Sequence, residues 1–268
     1  MLTAKGMHVL ATLVCHIVGP TLARRLEGLS PWRVWQILVL LGGAAYLGGR
    51  LHFFLNNPGI YENRVWAAFT WSGGGLHAGG AVLALALALW PVSRLYGIPL
   101  GKLADGLAPT LGLGMAVARF GCWIHGCCYG VVGHWPWCLT FPADSSVYQY
   151  QLNHHLIAEG AATSLPTHPL QLYFVGLGLF VAVTSLWLHR RKRFDGEVGL
   201  VAACTFSIGS AALELFRADW TDRAYWGPLP QLLWMALLLS VLAVSLLAAA
   251  EARYRSRLVR ASASRALS

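Results

Sequence analysis

Apolar residues dominate seven stretches of this chain, at about 6–23, 34–55, 67–91, 103–122, 169–189, 197–216 and 229–250, with short polar connections between them. A helix needs about 20 apolar residues to cross a hydrocarbon core of roughly 30 Å. The pattern therefore predicts an all-α polytopic membrane protein with seven transmembrane helices, in one domain over residues 1–250. The first stretch is interrupted by His8, His16 and Pro20 and reads as a retained span, not a cleaved leader. The connection 131–167, between helices 4 and 5, holds no Lys or Arg and carries Trp135, Pro136, Trp137, Tyr148 and Tyr150. Such aromatic content suits an ordered arm at the membrane interface. Residues 251–268, rich in Arg, Ser and Ala, read as a basic cytoplasmic tail, a helix end fraying into disorder.

Composition agrees with this pattern. Hydrophobic side chains make up 56% of the 268 residues and charged ones only 12%, too few to cover a soluble surface but suited to a bilayer. The net charge of +9 would suggest a nucleic-acid partner if it were spread over a face. Instead the basic residues fall in alternate connections, and no nucleic acid is expected. Arg24, Arg25, Arg33, Arg94, Lys102, Arg190–Arg193 and the five arginines of 253–265 lie on one side. Lys5, Arg64, Arg217 and Arg223 lie on the other. The positive-inside rule then puts the N-terminus outside and the C-terminus in the cytoplasm. With that orientation Arg50, His77, Arg119, His168, Gln171, Glu214, Arg217 and Gln231, from six spans, fall in the extracytoplasmic half of the membrane.

The densest chemistry is Arg119-Phe-Gly-Cys-Trp-Ile-His-Gly-Cys-Cys-Tyr-Gly130. An arginine at the margin of a span needs an anionic partner, and a guanidinium fork fits a lipid phosphodiester. Gly121 and Gly126 let a bulky headgroup approach, and Arg50 and Arg217 are candidates to share the task. Gly73-Gly-Gly-Leu-His77-Ala-Gly-Gly80 sets an imidazole among glycines, which otherwise serve close helix packing. Glu214-Leu-Phe-Arg217 has the spacing of a self-neutralising pair on one helix. Cys122, Cys127 and Cys128 form a possible thiol site. Their spacing is no recognised zinc pattern, so no metal is expected; a disulfide including Cys138, or simple packing, remains open. Cys15 and Cys204 lie in apolar runs and read as buried inert thiols.

In this order the motifs resemble the prolipoprotein diacylglyceryl transferase family over roughly residues 40–235. Gly48-Gly-Arg50-Leu, Gly74-Gly-Leu-His77-Ala-Gly-Gly, Asp105-Gly-Leu-Ala-Pro109, the Arg119-x-Gly121-x4-Gly126-x3-Gly130 frame, His168-Pro-Leu-Gln171-Leu-Tyr173 and Glu214-Leu-Phe-Arg217 are similar to its elements. The resemblance implies transfer of a diacylglyceryl group from phosphatidylglycerol to the lipobox cysteine of a prolipoprotein, at the outer face of the bacterial inner membrane. It implies Arg119 on the phosphodiester and His77 at the thiol, with Gly121, Gly126, Arg50, Gln171, Glu214 and Arg217 around the lipid, the prolipoprotein signal peptide as partner, and no cofactor. The chain departs from the family at Cys122 and His125, where the signature has asparagines, at Cys127, where it has glutamate, and at Ser210, where it has arginine. An alternative therefore stays open: a thiol, redox or lipid-binding membrane protein on the same scaffold, using Cys122 and Cys127.

Overall fold

A computed structural model of the chain describes residues 4–57, 75–218, 225–226 and 229–266. In order they form α1 (Ala4–Glu27), α2 (Pro31–Asn56), α3 (Ala78–Leu95), α4 (Leu100–His125), α5 (Ser146–Asn153), α6 (Leu170–His189), α7 (Glu197–Glu214), β1 (Tyr225–Trp226), β2 (Leu229–Pro230) and α8 (Gln231–Ala266). The two short strands pair antiparallel. Among the described residues, six helices (α2, α3, α4, α6, α7 and α8) are long and apolar enough to cross a membrane. Large apolar side chains such as Leu87, Phe180 and Val241 are exposed, as a lipid surround permits. This is a multi-pass membrane protein. The seventh expected span corresponds to α1, a helix of 24 residues.

The third helix starts later than the apolar pattern suggested. Residues 58–74, including Arg64, Gly73 and Gly74, lie outside the described residues, as do Asp219, Asp222 and Arg223. Residues 75–77 are not helical, and His77 is the N-cap of α3, with extended backbone. Glycine is a poor helix former, and the His77 N–H donates to the Gly49 carbonyl of α2 at 3.1 Å, not to a residue of its own segment. His77 therefore stands at the start of α3, not inside it. The C-terminal segment also differs from expectation, because α8 continues through it to Ala266. Ala and Arg favour the helix, and Glu251 accepts from Arg193 at 3.1 Å and Arg255 at 2.8 Å.

The chain divides into two compact units. In one, His16–Leu107, Ile37, Leu41, Val92, Leu103 and Leu107 belong to a single buried cluster. Here α2 meets α3 backbone to backbone: a Cβ on Gly48 would lie 2.5 Å from the Gly80 carbonyl, and one on Gly80 would land on the Gly48 carbonyl. In lipid, where apolar burial gives no drive between helices, such close approach is what holds them. At the end of α3, Ile98 N–H donates to Ser93 and Gly97 N–H to Arg94, with Gly97 at φ +63°. That is a Schellman ending, in which glycine takes the left-handed position.

The other unit combines Met1–Cys15 with Ala108–Ser268. Gly112 of α4 and Gly178 of α6 form a second close crossing, since a Cβ on either would lie 2.7 Å from the other's carbonyl. The 131–167 arm is ordered. Ser145 caps α5 by accepting from Tyr148 N–H at 3.2 Å, and Phe141 and Val147 are buried with Tyr129 in a small cluster.

Candidate active site

Within the second unit, the Arg119–Gly130 stretch is built from a helix end, a turn and a strand-like segment. Helix α4 stops because Gly126 takes φ +69°; Cys127 N–H donates to the Cys122 carbonyl and Gly126 N–H to Trp123, both at 3.1 Å. This is the same Schellman ending as at Gly97. Beyond it the chain runs between two neighbours. Gly130 N–H donates to the His168 carbonyl at 3.0 Å and His168 N–H to Val131 at 3.0 Å, while Val131 N–H donates to Phe216 at 2.8 Å and Ala218 N–H to Tyr129 at 3.3 Å. A Cβ on Gly130 would lie 2.8 Å from the His168 carbonyl and 3.0 Å from that of Phe216, so only glycine fits between the two strands. Three motifs separated by up to a hundred residues of sequence are thus tied by main-chain bonds.

The side chains follow from that frame. Gln171, at the start of α6 and fully buried, donates from Nε2 to the Cys127 carbonyl at 2.8 Å, which holds the turn. Glu214 and Arg217 pair at 3.1 Å, both nearly buried. That is the i,i+3 pairing their spacing suggested, in a buried setting where breaking an ion pair is costly. Arg119 is different. It is half-buried and its guanidinium lies 4.2 Å above the Phe174 ring, with no carboxylate bound to it among the described residues. A cation over an aromatic face keeps its donor edge available. His168 Nδ1 meets the Tyr173 hydroxyl at 2.9 Å, and the Trp137 indole donates to that hydroxyl at 2.8 Å, which ties the arm to α6.

All six cysteines are free thiols. Cys122, Cys127 and Cys128 bring their sulfurs within 4.8 Å of one another, whereas Cys138 takes no part in that group. Cys128 adopts a left-handed backbone, φ +60°. Hydrogen bonds from the Cys122 and Cys127 thiols hold the Cys128 thiol well below its ordinary range, and the Arg217 and Arg119 charges add to this. Gly121 is buried on the last turns of α4.

Arg50 and His77 belong to the other unit and form a group of their own. Arg50, only 2% exposed, donates from Nη1 to the Gly75 carbonyl at 3.0 Å and so holds the segment leading to His77. The His77 ring stands edge-on to His52 at 4.9 Å and to Phe53 at 5.5 Å. Sequence reasoning singled out neither His52 nor Phe174. Phe174 lies about one helical turn after Gln171 on α6.

Comparison with known proteins gives a family. A model described as prolipoprotein diacylglyceryl transferase matches residues 6–250. Among curated relatives, the phosphatidylglycerol–prolipoprotein diacylglyceryl transferase of Bordetella avium is 32% identical over 65% of this chain and 59% of its own length. Those of Streptomyces avermitilis and Methylococcus capsulatus are 31% and 27% identical over 72% and 84% of this chain, and over 54% and 80% of their own. The chain thus spans little more than half the length of several curated relatives it matches.

Proposed function

The chain belongs to the prolipoprotein diacylglyceryl transferase family, and on that premise we propose that it transfers a diacylglyceryl group from phosphatidylglycerol to a cysteine thiol of a lipobox signal peptide. The reaction forms a carbon–sulfur bond at the glyceryl carbon and breaks that carbon's bond to the phosphate oxygen. Glycerol phosphate leaves, and the thiol proton passes to a base. The charge that develops is on phosphate oxygens, so the enzyme's main task is a fixed cationic donor beside them.

The observation that carries this reading is Arg119, a half-buried guanidinium laid on Phe174 with no bound carboxylate among the described residues. We assign it to the phosphodiester. Arg217, already engaged with Glu214, and Gln171, engaged with the Cys127 carbonyl, act as positioning residues for the turn beside it. Arg50 positions the Gly75–His77 segment, and His77 takes the thiol proton or orients the peptide. We further propose the outer face of the bacterial inner membrane as the location, with the N-terminus outside. The support is the confinement of most Lys and Arg to alternate connections.

The test is mass spectrometry of a lipobox peptide incubated with the purified full chain and defined phospholipids. The expected product is the peptide carrying one diacylglyceryl group, formed with phosphatidylglycerol and at least about 100-fold more slowly for Arg119→Ala. A folded wild-type protein that modifies no peptide from any donor lipid would overturn the proposal.

A further inference from the structure

We propose that Cys122, Cys127 and Cys128 form a three-thiolate site for one thiophilic divalent d10 metal ion, of which zinc is the common biological representative. The inference does not depend on the transfer reading; it concerns Cys122 and Cys127, where the chain departs from the family's motif, and Cys128 beside them.

The geometry arises from the helix ending. In a Schellman motif the residue just past the glycine folds back onto the residue five positions earlier, and an apolar contact usually fills that place. Here those two positions are Cys127 and Cys122, so capping α4 brings two thiols together. The third arrives through Cys128, whose left-handed backbone is unfavourable for a residue with a Cβ, by about 1–2 kcal/mol. Cys127 and Cys128, neighbours in sequence, would otherwise send their side chains apart, and this conformation returns Cys128 to the group. Strain of this kind persists where the surroundings require it and clusters at binding sites.

The spacing is close to what a metal needs. With zinc–sulfur bonds of about 2.3 Å, sulfurs around a tetrahedral ion lie about 3.8 Å apart. The three sulfurs already lie within 4.8 Å of one another, so closure needs movement of about 1 Å or less. Thiolate ligands select zinc and similar soft ions over calcium or magnesium. Binding replaces three S–H bonds with three S–metal bonds and releases three protons to solvent. The resulting tris-thiolate complex of a divalent ion carries one negative charge. Three protein ligands leave the fourth corner for water or another donor.

The experiment uses the full chain in detergent, reduced with a phosphine and freed of metal under argon. Cadmium is titrated in while the ultraviolet thiolate-to-cadmium charge-transfer band is followed, and native mass spectrometry counts the ions. The expected result is one cadmium per chain, with affinity lowered at least about 100-fold in Cys127→Ser and Cys128→Ser, the upper end of what losing a supporting group outside the coordination shell costs. Cys15→Ser and Cys204→Ser should bind like the wild type. Zinc should displace cadmium from the same site. If a serine variant does not fold, maleimide labelling of the wild-type chain decides instead: the ion should protect three of the six thiols, and these should be Cys122, Cys127 and Cys128. A wild-type titration with no charge-transfer band, equal affinity in Cys128→Ser, or a disulfide between two of the three thiols in the metal-treated chain would overturn the proposal.

Discussion

Arg119 and Arg217 belong to the same unit and both bear on the Cys128 sulfur, yet their surroundings assign them opposite tasks. Arg217 is buried against Glu214, within one turn of chain, and its backbone bridges Gly130. Arg119 is half-buried, lies on an aromatic ring and carries no bound carboxylate among the described residues. A buried guanidinium with its own carboxylate is satisfied within the protein. One that presents only an aromatic face inward keeps its donors for something brought from outside. The contrast supports the proposed division, with Arg217 serving structure and Arg119 serving binding.

The largest effect expected is on Arg217. Arg217→Ala breaks the buried ion pair with Glu214, which should destabilise the protein by about 3–5 kcal/mol, measured as a fall in thermal midpoint in detergent. Adding Glu214→Leu should recover most of that loss. If the single variant melts like the wild type, the contrast between the two arginines fails. Next is Arg119→Ala. Transfer of the diacylglyceryl group should fall about 10²–10³-fold, the usual consequence of removing one preorganised donor to developing negative charge, while the thermal midpoint stays close to that of the wild type. Arg119→Lys should restore only part of the rate, since an ammonium does not reproduce the planar fork. The smallest effect is on the platform. Phe174→Leu keeps bulk but removes the ring face, and about 0.5–2 kcal/mol of cation–π attraction should be lost, read as a 2- to 30-fold rise in KM for the lipid. An unchanged KM would mean that the ring does not orient the guanidinium.

Much of this was legible in the sequence, and the parts that were not have physical reasons. Helices α2, α4, α6 and α7 follow from apolar runs of the right length, and the Glu214–Arg217 pair follows from helical spacing alone. The start of α3 was not legible, because an apolar run does not reveal that the His77 N–H is taken by Gly49 of another helix. The thiol cluster was hidden for a different reason. Cys122 and Cys127 at five-residue separation fit no metal spacing in a continuous helix, and they meet only because Gly126 ends the helix between them. At Gly97 the same turn places Ser93 and Ile98 in the corresponding positions, both buried. Identical backbone geometry therefore yields packing in one unit and a thiol cluster in the other, and the side chains at two positions decide which.

The Gly112–Gly178 crossing has a mechanical consequence. Two helices in backbone contact at one point behave as levers about that point. Arg119 lies seven residues along α4 from Gly112, about 10 Å at 1.5 Å per residue. A change of about 10° in the crossing angle would therefore swing the Arg119 backbone by nearly 2 Å, and misplacement by about 1 Å can lower a rate about 100-fold. A methyl group added at Gly112 would meet the Gly178 carbonyl and the Ala182 backbone, forcing such a change from a site two turns away. The aim of the guanidinium is set at that fulcrum as much as by the ring beneath it.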